Sequence, residues 1–101
     1  MHPSTSIERR LSVRIPTSLE MQVYAYGMLV ANGKTVEMSE HGMSLYIERH
    51  LSEEALDPGK YLDVMLRDLN PQVSQCWVPI KVVRRWEAGI AGRFVGEAFA
   101  N

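Results

Sequence analysis

The chain has 101 residues, 46% of them apolar, and 11 Lys and Arg against 12 Asp and Glu give a formal net charge of −1. That length suits one domain with one modest core, and that apolar content excludes wholesale disorder. The neutral balance argues against a general nucleic-acid binder, the single cysteine (Cys76) permits no intrachain disulfide, and no apolar run approaches the roughly 18 residues needed to span a membrane.

The first residues, MHPSTSIE, are polar and lack the apolar stretch of a signal peptide, so the cytoplasm is the expected location. Residues 1–8 read as a flexible leader and 9–101 as a single domain. The stretch ERRLSVRIP, residues 8–16, sets Arg9, Arg10 and Arg14 within six positions. A spacing of four puts Arg10 and Arg14 roughly on one side of an extended or helical segment. Arginine's planar fork binds phosphate, or the O6 and N7 edge of guanine, in bidentate fashion. Taken alone, a solvated basic leader is the plainer reading of the cluster. Pro16 pushes Ile15 out of the helical region, so any helical turn ends there.

After Pro16 the pattern alternates, the period of half-buried strands. In LEMQVYAY, Leu19, Met21, Val23 and Ala25 face one way, and Glu20, Gln22, Tyr24 and Tyr26 the other. Asn32-Gly33 predicts a turn, and TVEMS a short strand after it. GMSLYIE alternates with Met43, Leu45 and Ile47 inward. LSEEAL, residues 51–56, predicts one helical turn capped by Ser52, and DPG, residues 57–59, a reversal. KYLDVMLRD puts Leu62, Val64 and Leu66 on one face. QCWVPIKVVRRW puts Cys76, Val78, Ile80 and Val82 inward, with Pro79 marking an edge or a bulge. GIAGRFVGEAFA is apolar and glycine-rich, which suits a tightly curved strand or one closely approached by another backbone. About six short strands with turns between them predict an all-β fold. The expected architecture is a small six-stranded antiparallel barrel, Greek-key or split, with at most one short helical turn.

A second constellation is EMSEHG, Glu37 to Gly42. Ser39 and Gly42, three apart after a strand, predict a tight turn. Gly42 is expected in a backbone geometry closed to other residues, with nearby N–H groups forming an anion nest. An ordinary hairpin turn is the plainer reading of these six residues.

Together, Arg10-x-x-x-Arg14, the Ser39-x-x-Gly42 turn and the six-strand pattern ending in GIAGRFVG resemble the PilZ domain family, from Arg9 to about Phe99. The resemblance implies a bacterial receptor domain for cyclic diguanylate (c-di-GMP), without catalytic chemistry. Arg10 and Arg14 would grip phosphates and guanine edges, and Ser39, with the backbone leading to Gly42, would line the opposing wall. Arg9, just ahead of the pair, matches the form of the family that favours a stacked ligand dimer. The family's second motif opens with Asp or Asn, where this chain has Glu37. Glutamate keeps an acceptor for guanine N–H groups but displaces it by more than about an ångström, beyond what a hydrogen bond tolerates unless the backbone compensates. The implied function is therefore a c-di-GMP-binding regulatory domain in which ligand orders the arginine segment against the barrel and alters an interface for a protein partner or a fused effector domain. The alternative is a PilZ-like interaction module that binds no nucleotide. No cofactor is expected besides the dinucleotide.

The remaining features take ordinary roles. His41 is read as an exposed loop histidine. His2, His41, His50 and Cys76 lack metal-ligand spacing, and no nucleophile, base and orienter fall together. Tyr24 and Tyr26 on one strand face raise a single-strand nucleic-acid binder, which the net charge disfavours. Trp77 and Trp86 are candidates to stack on a purine, with simple packing the plainer reading. Arg84 and Arg85 are read as surface charge or as an extension of a basic patch.

Overall fold

The computed structural model describes residues 19–66 and 76–97 and the backbone of 99–100. Seven strands follow one another: β1 (Glu20–Ala25), β2 (Met28–Met38), β3 (Gly42–His50), β4 (Tyr61–Leu66), β5 (Cys76–Trp86), β6 (Gly89–Phe94) and the two-residue β7 (Phe99–Ala100). A single 3-10 turn, Glu54–Leu56, sits between β3 and β4. All pairings are antiparallel. The order β4-β1-β2-β3-β6-β5, with β5 pairing back to β4, closes a six-stranded barrel, and β7 adds to β5. Closure gives each of the six strands two neighbours and removes the open edges on which sheets aggregate. Because β4 returns to lie beside β1, the first four strands form a Greek key.

The alternation in the sequence becomes the inside and outside of the barrel. Met21 and Val23 of β1, Met43 and Leu45 of β3, and Val78, Ile80 and Val82 of β5 are buried, while their chain neighbours face out or are only half-covered. Each such aliphatic side chain contributes about 1.5–3 kcal/mol by leaving water. Leu56 of the 3-10 turn joins the same core. The loop that carries it is tied down by Arg85, whose guanidinium donates to the Glu53 carbonyl (2.9 Å) and to Asp57 Oδ1 (2.7 Å).

Three local expectations are corrected. Asn32 and Gly33 do not turn; both lie inside β2, and the reversal falls at Tyr26 and Gly27, with φ of 52° and 78°. Two consecutive positive φ values are the geometry of a tight two-residue hairpin. Gly33 serves close approach instead, since a Cβ there would collide with the Tyr46 carbonyl of β3. Ser52 is not the cap. The 3-10 turn starts from Glu53 with no side-chain cap, and Ser52 N–H donates to the Val30 carbonyl (3.3 Å). Pro79 is neither on an edge nor in a bulge. Its carbonyl accepts from Val95 N–H (3.1 Å), so its nitrogen faces the same side, between the end of the β6 ladder at Ile80 and the start of the β7 ladder at Trp77. A ladder hydrogen bond is not required there.

Candidate functional site

Arg9, Arg10 and Arg14 lie outside the described residues. The residues expected to line the opposing wall, Glu37, Ser39 and Gly42, are all described. β2 delivers Glu37 just after a register shift between Thr35 and Glu37, and Glu37 then pairs with Ser44 of β3. An extra residue on one strand of a pair twists it and re-aims the side chains that follow. Glu37 is exposed on the outside of the barrel, as is the Ser39–His41 turn that joins β2 to β3.

The turn is locked by its own polar groups. Ser39 N–H donates to the Gly42 carbonyl (2.9 Å), and Ser39 Oγ accepts from the N–H groups of His41 (3.2 Å) and Gly42 (3.3 Å). This side-chain turn fixes its shape without help from the rest of the fold. It also corrects the expected anion nest, because the N–H groups of residues 39, 41 and 42 are spent within the turn. The His41 carbonyl accepts from Phe94 N–H (3.0 Å), which fastens the turn to β6. The His41 imidazole lies 3.6 Å from the Glu40 carboxylate, with both side chains exposed.

Gly42 departs from expectation in its reason rather than its importance. Among the described glycines only Gly27 and Gly59 have positive φ. Gly42 has to be glycine because β6 runs against it: a Cβ would collide with the Gly92 carbonyl oxygen and stand 3.2 Å from Arg93 Cα. The contact atoms are backbone and cannot swing aside.

That close approach brings in residues that sequence reasoning missed. Gly42 pairs with Arg93, and Ser44 with Ala91. Glu37, Ser39, Ser44, Val83, Ala91 and Arg93 surround an open depression of about 280 Å³ on the barrel exterior. Neither Glu37 nor Arg93 has an ion-pair partner among the described residues, and the depression carries one carboxylate and one guanidinium. The alternation of GIAGRF does put Arg93 on the outer face. Its placement beside Gly42, about fifty residues earlier, depends on the β3–β6 pairing, which no local pattern announces.

The candidate site is thus the hydrogen-bonded turn carrying Ser39, with the Glu37 carboxylate and the Arg93 guanidinium beside it on the outside of the barrel. Among the described residues no group of three or more His, Cys, Asp or Glu is placed to hold a metal ion. The family model for the PilZ domain matches residues 8–99. The chain belongs to the PilZ family. PilZ domains are regulatory binding domains for c-di-GMP, and the match covers both the arginine segment and the Ser39 turn. Among curated proteins, no sequence matches this PilZ chain closely enough to count as a relative. No helix among its described residues is long and apolar enough to cross a membrane.

Proposed function

We propose that this PilZ chain binds c-di-GMP on the outer wall formed by Glu37, Ser39, Gly42 and Arg93, with Arg9, Arg10 and Arg14 closing over the ligand from the N-terminal side. The observation that carries the reading is the locked Ser39–Gly42 turn, held against β6 so that the Glu37 carboxylate and the Arg93 guanidinium share one depression. The ligand presents phosphates for guanidinium groups and guanine edges for both donors and acceptors. Ser39 fixes the turn rather than supplying the main contact. Glu37 accepts from guanine N–H groups, and the register shift before it offers a route by which the backbone compensates for the longer side chain. Arg9, ahead of the pair, suits a stacked ligand dimer. The output is the ordering of the arginine segment against the barrel, which creates or hides a surface for a protein partner or a fused effector domain.

The test is calorimetry with c-di-GMP on the full chain, alongside Arg10→Ala, Arg14→Ala and Arg93→Ala. Each substitution is expected to weaken binding at least tenfold, as loss of a charge-assisted hydrogen bond does. Tight wild-type binding that none of the three alters would place the ligand elsewhere. Wild-type binding absent at millimolar dinucleotide would leave a PilZ interaction module without nucleotide.

A further inference from the structure

The cross-strand register lays three rows of outward residues over β3, β6 and β5: Gly42, Arg93 and Lys81; then Ser44, Ala91 and Arg84; then Tyr46, Gly89 and Trp86. Along the middle strand the outward residues after Arg93 are small, Ala91 and Gly89, so no bulky β6 side chain stands between the depression beside Ser39 and the row of Tyr46 and Trp86. Four residues separate the first row from the third, about 13 Å at roughly 3.3 Å per residue. A register shift between Val82 and Arg84 inserts Val83 into β5 and re-aims the residues after it.

Arg84 and Trp86 stand on β5 in the second and third rows. The Arg84 guanidinium carbon lies 5.1 Å from the centroid of the Trp86 ring. The ring in turn leans over Gly89, where a Cβ would stand 3.2 Å from Trp86 Cζ2. Arg84 is exposed and has no carboxylate within ion-pair distance among the described residues. The neighbouring candidates are committed elsewhere. Arg85 is spent on Glu53 and Asp57, and Trp77 packs against Tyr24 with ring centroids 5.2 Å apart.

We propose that Arg84, held over the Trp86 ring, is a second base-binding position that stacks its planar guanidinium against a guanine. A planar, weakly hydrated cation already held over an indole has less left to order when a base stacks on it, whereas a phosphate would need only a point charge. This rests on the c-di-GMP reading above and adds to it where the second base goes. That base is either the other guanine of the same dinucleotide or a guanine of a second one, and stoichiometry separates the two.

The test follows c-di-GMP binding by tryptophan emission and calorimetry. Trp77→Phe leaves Trp86 as the only reporter, and its emission is expected to change on titration. Trp86→Phe leaves Trp77, whose emission is expected to stay constant. Arg84→Ala and Arg84→Lys are both expected to weaken binding about tenfold, because lysine restores charge but not the planar guanidinium. Unchanged stoichiometry in these variants assigns the second base to the same dinucleotide, and a fall from two to one assigns it to a second. Wild-type binding that stays within twofold in Arg84→Ala, with silent Trp86 emission, overturns the second position and leaves the first intact. No wild-type binding overturns both. Arg84 is exposed, so an unshifted thermal melt separates lost binding from lost fold.

Discussion

Replacing Gly42 by alanine tests why the Ser39 turn needs a glycine. The added methyl would collide with the Gly92 carbonyl oxygen and stand 3.2 Å from both Arg93 Cα and the Gly92 carbonyl carbon. All three atoms are backbone in the adjacent strand, so relief requires β3 and β6 to part at this end. Two hydrogen bonds are at risk, Ser39 N–H to the Gly42 carbonyl (2.9 Å) and Phe94 N–H to the His41 carbonyl (3.0 Å). At about 0.5–1.5 kcal/mol each, their loss predicts a destabilisation of about 1–3 kcal/mol. For a domain of this size that lowers the melting temperature by about 5–20 °C. Circular dichroism melts supply the measurement, with Gly42→Asn as the discriminating partner. Asparagine tolerates positive φ better than alanine, so a position chosen for its φ would be partly rescued by it. Steric exclusion predicts that asparagine is at least as harmful as alanine. Wild-type stability in Gly42→Ala, or clear rescue by asparagine, would refute the reasoning.

Other expectations follow from particular contacts. Tyr26 is fully exposed at φ 52°, so Tyr26→Asn should stabilise the fold by about 0.5–1 kcal/mol, seen as a higher urea midpoint with an unchanged slope. Asp57→Ala should cost only about 0.5–1 kcal/mol, because its carboxylate is half exposed, whereas Arg85→Ala should cost about 1–2 kcal/mol by also leaving the Glu53 carbonyl without its donor. Urea titrations at low and high salt check both: the Asp57→Ala cost should shrink with salt, and the Arg85→Ala cost only in part, because its bond to the Glu53 carbonyl is not an ion pair. Glu37→Asp should tighten c-di-GMP binding about tenfold by calorimetry if glutamate's extra methylene misplaces the acceptor. Equal affinity would mean that the backbone shift before Glu37 already compensates.

Much of the barrel was legible because alternation is a local property. A strand half-buried on one side writes its burial every second residue, and the inward sets of β1, β3, β4 and β5 could be read from the sequence residue by residue. The Ser39 turn was equally visible, since the groups that hold it lie within four residues. Local signals failed where two strands had to agree. Asn32-Gly33 carries the strongest short turn signal in the chain, yet the pair sits mid-strand because β3 passes over Gly33. Tyr26-Gly27, a weaker signal, makes the turn instead.

The sequence by itself determined the kind of fold, the inward face of most strands and the two motifs that mark a PilZ domain. These depend on periodicity and on short spacings, which survive without knowledge of any partner strand. Only the tertiary structure decided why Gly42 must be glycine, that Arg93 stands beside it, and that Arg84 lies over Trp86 while Arg85 pairs with Glu53 and Asp57 and Trp77 packs on Tyr24. The physical reason is the Greek-key connection. It sets β3 beside β6 rather than β4, and which side chains meet across that ladder follows from the register of distant strands.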